Sequence, residues 1–232
     1  MGAMPRTRLL LFDIDGTLML TGGAGARALT RAFHEVFGLV DALVGVRLHG
    51  QTDPQIVTDT LAKAGRTGSE DELARIRALY LEYLGHEIRA AEKARVLPGV
   101  LGLLEHLAGI PHVKLALLTG NIEPGARIKL SRFDLNRYFA CGGFGSDSHL
   151  RRALVPIALD RARTHFGIEV DPADAVVIGD TEKDVDCGRA AGARTLAVAT
   201  GGATEAVLHE AGADVVVPTL EDTHRIAEML LA

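Results

Sequence analysis

Three turns in this chain hold the residues best equipped for chemistry, and each follows a short apolar run. Leu9-Leu10-Leu11-Phe12 leads into Asp13-Ile14-Asp15-Gly16-Thr17. Residues 113–118 lead into Thr119-Gly120-Asn121, and residues 175–178 into Gly179-Asp180-Thr181-Glu182-Lys183-Asp184. Carboxylates brought together can attack an electrophile, move protons or hold a hard cation; small hydroxyl, amide and backbone N–H groups hold anions. Any one of these turns alone would serve as a helix cap or a loop, where Asp, Thr and Asn are favoured. Three of them in the same position after an apolar run point to a shared crevice.

The runs are short and apolar on both faces, which is the pattern of buried strands in a parallel sheet. Residues 195–199 and 215–217 extend the series. Between them the apolar residues repeat at helical spacing, as in Leu101, Leu104 and Leu107 or Leu154, Ala158 and Ala162. Strand and helix in alternation predict an α/β fold, a Rossmann-like parallel-sheet core, and ligands bind beyond the carboxyl ends of such strands. Residues 22–95 break the alternation: they offer helical pieces at 26–37, 54–64 and 70–91 and no strand. The expected organisation is a core of residues 1–20 and 96–232 with an all-helical cap domain, 21–95, inserted through hinges near 19–21 and 96–98.

Composition narrows the function. The 232 residues carry 25 basic and 30 acidic side chains, a net charge of −5 with no basic block, so a grip on nucleic acid backbone is not expected. Trp is absent and aromatics make up 4%, too few for a base-stacking platform. No apolar run approaches the ~18 residues of a membrane span, and the run after Arg6 and Arg8 is too short for a signal peptide. A cytoplasmic protein is expected, with Met4 as its natural start and residues 1–3 an added leader. Cys141 and Cys187 are too few for a disulfide framework or a thiolate zinc site and are expected in the core. Gly23-Ala24-Gly25-Ala26-Arg27-Ala28 matches a dinucleotide fingerprint in letters alone, because it neither follows its strand directly nor leads to a second one.

The three turns together resemble the haloacid dehalogenase superfamily of aspartate-nucleophile phosphatases. Asp13-Ile14-Asp15-Gly16-Thr17 matches its D-x-D-G-T signature, Thr119 its second motif, and Gly179 to Asp184 its acidic G-D-x-x-x-D motif. The helical insertion is similar to the family's small cap, and the nearest subgroup is that of phosphoglycolate phosphatases. The resemblance implies a small phosphorylated metabolite as partner, phosphoglycolate being the first expectation, and Asp13 as nucleophile. Asp15 would protonate the leaving oxygen and then deprotonate water. Mg²⁺ would be held by the Asp13 side chain, the Asp15 carbonyl and Asp180, with Asp184 behind or acting through water. Thr119 and the N–H groups of Gly120 and Asn121 would hold phosphoryl oxygens, next to a helix begun by Pro124. Oligomeric state is left open.

The sequence departs from the family at the third motif, because residues 142–165 contain no Lys. His149-Leu150-Arg151-Arg152 stands in that place, so Arg151 is expected to supply the charge, in the first turn of a helix capped by Ser146-Asp147-Ser148, with Arg152 turned away. Lys129 and Lys183 are the rivals, Lys183 being expected to face solvent. In the cap, Arg47-Leu48-His49-Gly50-Gln51-Thr52-Asp53 is similar to the loop that faces the site, making His49, Gly50 and Thr52 candidates for substrate contact. This loop has no Lys for phosphonate cleavage. Asp53 stands where sugar-phosphate mutases favour a base. A dehalogenase would have no use for Asp15. A phosphomutase and a catalytically silent phospho-ligand binder are the remaining alternatives.

Overall fold

The computed structural model describes residues 6–232, so the expected start at Met4 lies outside the described residues. In chain order the elements are β1 (Arg8–Phe12), β2 (Met19–Leu20), α1 (Ala24–Phe37), α2 (Asp53–Lys63), α3 (Glu70–Ala90), β3 (Arg95–Val96) and α4 (Val100–Ala108). They continue with β4 (Val113–Thr119), α5 (Glu123–Ser131), β5 (Gly142–Phe144), α6 (Leu154–Phe166), β6 (Ala175–Gly179) and α7 (Glu182–Ala190). The chain ends with β7 (Arg194–Val198), α8 (Glu205–Glu210), β8 (Val215–Val217) and α9 (Thr223–Leu231).

Six strands form one sheet in the order β5-β4-β1-β6-β7-β8, every pair parallel. The strands are apolar throughout because both faces are covered. Leu9 and Leu11 join Ala116, Leu118, Ala175 and Val177 against Leu154, Ala158 and Ala162 of α6 and Cys187 of α7. The alternate residues Leu10 and Phe12 face the other way, with Leu117, Ile178 and Leu196, onto Leu103 and Leu107 of α4 and Ile226 and Leu230 of α9. A fully buried Leu or Phe of this kind stabilises by roughly 1.5–3 kcal/mol. Cys141 and Cys187 are buried and unpaired with each other.

The chain leaves and re-enters this sheet through a narrow neck. β2 and β3 pair antiparallel, Met19 opposite Val96 and Leu20 opposite Arg95, and Leu97 N–H donates to the Leu18 carbonyl at 3.0 Å. These two-residue strands escaped the sequence reading because they are too short to show a period. The helices α1, α2 and α3 lie between them. α3 opens with a capping box, Ser69 Oγ accepting from Glu72 N while Glu72 Oε2 accepts from Ser69 N, and buries Ile76, Tyr80, Leu84 and Ile88 at helical spacing. That face packs on α1 and also on α5 of the sheet domain, where Gly125 leaves room for Tyr80 and Leu84. The edge strand β5 was also not expected, since Cys141-Gly142-Gly143-Phe144 has no alternation to reveal it. Among the described residues no helix is long and apolar enough to cross a membrane.

Candidate active site

β1, β4 and β6 lie side by side in the middle of the sheet, and the chain passes from β5 at one edge to β6 on the far side of β1. That reversal leaves a crevice beyond the carboxyl ends of these strands. The residues after β1, β4 and β6 meet there, under α1, α2 and the loop before α2. The cavity between them has a volume of about 450 Å³.

Asp13 is buried at the end of β1, its N–H donating to the Ile178 carbonyl of β6 at 2.9 Å. Asp13, Asp180 and Asp184 each offer a carboxylate oxygen within 4.8 Å of the others. Gly16, at φ +92, turns the chain so closely over Asp180 that a Cβ there would sit 2.5 Å from Asp180 Oδ2. Thr17, whose place in the motif carries no signal of its own role, donates its hydroxyl to Asp180 Oδ1 at 3.2 Å. Asp180 Oδ2 is buried without a hydrogen-bond partner. Burial pushes the Asp13 carboxyl up to about 6, with Arg151 pulling the other way and Asp184 and Asp15 adding to the rise. Asp180 is pushed well up by burial, then by Asp13 and Asp184. Three crowded acids with an unused oxygen are a donor set for a hard divalent cation.

Arg151 is buried against the same carboxylates. Its Nη2 lies 3.1 Å from Asp13 Oδ1 and also donates to Asp184 Oδ1. Asp184 is thus shared, for its Oδ2 accepts from both N–H and hydroxyl of Thr181 in the capping box of α7. Arg152 is mostly exposed and pairs with Asp186, its Nε 2.6 Å from Oδ2. The expected serine cap is not what places Arg151. It sits on a 3₁₀ turn, Arg151–Ala153, that precedes α6 and has no side-chain cap. Ser146 Oγ instead accepts from Glu123 N at the start of α5, Asp147 is paired with Arg161, and Ser148 Oγ accepts from Leu150 N.

The structure also brings in Lys129, from the last turn of α5. Its Nζ lies 2.6 Å from Asp15 Oδ2 and 2.5 Å from Asn121 Oδ1. Burial alone would raise Asp15, but the Lys129 charge and the hydrogen bonds from Lys129 and Asn121 outweigh it and hold the carboxyl low. Asn121 Nδ2 donates to Asp15 Oδ2 and to Thr119 Oγ1, both at 2.8 Å, and Asn121 N reaches the same hydroxyl at 3.3 Å. With both lone pairs of Thr119 Oγ1 engaged, its remaining hydrogen is left to donate into the cavity.

Gly120 must be glycine, since a Cβ would lie 2.0 Å from the Gln51 carbonyl. Here the loop before α2 rests on the sheet domain. Asp53 N–H donates to the Gly120 carbonyl at 2.8 Å, and Asp53 Oδ2 accepts from Ile122 N at 2.9 Å. Of the three expected cap contacts, His49 and Gly50 line the cavity. Thr52 does not: its hydroxyl accepts from Gln55 N as the cap of α2 and donates to the His149 carbonyl. Lys183 also falls outside the cavity, but it is half-buried rather than solvent-facing because its stem packs over Gly50. Asp53 and Tyr80, which the sequence reading gave no role in the site, line the cavity.

The family model of the haloacid dehalogenase-like hydrolases matches residues 7–192. The chain belongs to this family. The haloacid dehalogenase-like hydrolase is 30% identical over 209 residues to a phosphoglycolate phosphatase of Rhodospirillum rubrum, covering 88% of this chain and 83% of that one. It is 29% identical over 202 residues to a phosphoglycolate phosphatase of Pseudomonas savastanoi pv. phaseolicola, covering 86% and 71%. Its fold is similar to that of a hydrolase from Pseudomonas syringae, with a TM-score of 0.73 at 21% identity, covering 97% and 99% of the two chains.

Proposed function

We propose that this hydrolase is a Mg²⁺-dependent phosphatase acting on a small phosphate monoester through an aspartyl-phosphate on Asp13. The observation that carries this reading is the setting of Asp13: a buried carboxylate at a strand end, gripped by Arg151 and crowded by Asp180 and Asp184. Asp13, Asp180 and Asp184 would hold the cation, with the Asp15 carbonyl as a further donor. Mg²⁺ suits oxygen ligands and, when bound, neutralises charge on the phosphoryl group.

An ester dianion entering the crevice meets Arg151, the Thr119 hydroxyl and the Gly120 N–H, the Asn121 N–H being turned instead to Thr119 Oγ1. Asp13 attacks phosphorus, the bond to the ester oxygen breaks, and Asp15 gives that oxygen its proton. Lys129 and Asn121 hold Asp15 ionised at rest; the incoming dianion raises its proton affinity, so Asp15 takes up a proton from solvent as the ester binds and passes that proton to the leaving oxygen. In the second half Asp15 takes a proton from water, the water oxygen attacks phosphorus, and the Asp13–phosphorus bond breaks to release phosphate. Residues 21–95 act as a cap that excludes bulk water, with His49 and Gly50 facing the leaving group and the neck at β2 and β3 as its hinge. Phosphoglycolate, from which the relatives take their names, is the reference ester.

The test is hydrolysis of para-nitrophenyl phosphate. The protein should turn it over with Mg²⁺, stop in EDTA, and recover with Mg²⁺ but poorly with Ca²⁺. Asp13→Asn should lose at least about 10³-fold in kcat/KM with no fall in Tm, since it removes one of three crowded acids. Activity retained in Asp13→Asn would remove the nucleophile, and full activity in EDTA would remove the cation. Tight phosphate binding without turnover of any ester would favour a silent binder.

A further inference from the structure

The phosphoryl end of the cavity uses every Lys and Arg that lines it. Arg151 is engaged with Asp13 and Asp184, and Lys129 with Asp15 and Asn121. The rest of the cavity, where the alcohol half of an ester must lie, is walled by Met19, Leu20, Leu29, Leu43, Leu48 and Ile56. The basic side chains nearest in sequence to this wall are committed elsewhere: Arg27 to the Gly22 carbonyl and Glu87, Arg47 to Glu182. His49 also faces a neighbouring groove lined by Glu182 and Gly202. The ionisable pair set into this wall is acidic. Asp53 is fixed by Ile122 N at the start of α5, and the Tyr80 phenol lines the cavity with it.

A carboxylate on the leaving group would therefore lose its water to an apolar wall, find every lining Lys and Arg already paired, and face Asp53, with the His49 ring as its one basic neighbour among the described residues. An uncharged alkyl or hydroxyalkyl group would gain from the same wall. Resting on the phosphatase reading above, we propose that the substrates are phosphate esters of uncharged, largely apolar alcohols, and that Asp53 and its apolar surroundings select against carboxylate-bearing esters such as phosphoglycolate. The cavity, at about 450 Å³, is of a size for a phosphoryl group with a small organic remainder.

The test compares phosphoglycolate with its uncharged amide, which has the same size, and with ethyl, propyl and butyl phosphate, all with the full chain and Mg²⁺. The amide should exceed phosphoglycolate in kcat/KM by at least about tenfold, and the alkyl series should rise roughly threefold to fourfold per methylene. Asp53→Asn should raise phosphoglycolate relative to the amide several-fold. Leu48→Arg, which puts a cation into the wall without touching the α2–α5 junction, should shift the ratio the same way. Phosphoglycolate turned over as well as its amide, or a ratio that neither substitution moves, overturns the proposal while leaving the phosphatase intact. Inactivity towards every ester, para-nitrophenyl phosphate included, overturns the phosphatase reading and this proposal with it.

Discussion

Arg151 and Arg152 differ by one position and by almost everything else. On a 3₁₀ turn successive side chains point about 120° apart, so when one faces the crevice the next cannot. Arg151 stays protonated against the cost of burial because Asp184 and Asp13 attract its charge. Arg151→Ala would leave those carboxylates buried without it, and should lower kcat/KM at least about 100-fold, roughly 3 kcal/mol of transition-state stabilisation. Arg151→Lys should recover part of the loss, limited by its reach to the point between Asp13 and Asp184 that Nη2 occupies. Arg152→Ala removes an exposed, solvent-screened pair and should leave kinetics and Tm near wild type. Steady-state kinetics on the three variants decide it, and a crippled Arg152→Ala beside a healthy Arg151→Ala would reverse the assignment. Cys187, whose thiol donates to the Arg151 carbonyl, is pushed up by burial to about 12; it supports the turn as a neutral donor, not a nucleophile.

At the scale of elements, the junction of α2 with α5 governs how the cap segment sits. Asp53 occupies the first position of α2, and its carboxylate accepts from Ile122 N just before α5. Burial pushes Asp53 up to about 6 from an ordinary 3.8, with Lys129 pulling the other way. The folded state therefore binds this proton more tightly than the unfolded chain does. The resulting stability is full below about pH 4 and lost as pH rises through about 6. Asp53→Asn imitates the protonated form at every pH, so its Tm relative to wild type should climb between pH 4 and 7. A difference that is flat across that range would mean that Asp53 titrates normally. None of this was legible in the sequence, where Asp53 differed from any other acid after a loop only by what it was not. The helix it begins was legible, because Thr52, Pro54 and the apolar Ile56 and Leu61 are local signals.

Across the whole molecule, the middle of the sheet concentrates negative charge. Asp13, Asp180 and Asp184 are all buried, and the chain supplies one guanidinium among them. Binding of Mg²⁺ to the folded state alone should raise stability by about 2.7 kcal/mol at a hundredfold excess over Kd. For a chain of this length that is a Tm rise of roughly 5–10 °C. Asp180→Asn should abolish the rise, since it replaces the carboxylate whose second oxygen has no protein partner. A thermal melt with and without Mg²⁺ reads this without any substrate. An undiminished shift in Asp180→Asn would place the cation elsewhere.

The amino-acid sequence by itself determined the parallel sheet, the helical character of residues 22–90 and the acidic strand-end turns. Those are short-range properties: burial on both faces demands continuous apolar runs, and strand-end turns draw on Gly, Asp and Thr. It also limited the missing third-motif charge to Arg151, Arg152, Lys129 and Lys183, without the means to rank them by contact. Only the tertiary structure decided that Arg151 meets Asp13, that Lys129 holds Asp15, and that Asp53 and Tyr80 wall the cavity. Each of those outcomes depends on the rotation of one helix or turn against residues 27 to 138 positions away in the chain. No local pattern encodes such a rotation, because it is set by how α2, α3, α5 and the turn before α6 pack over the strand ends.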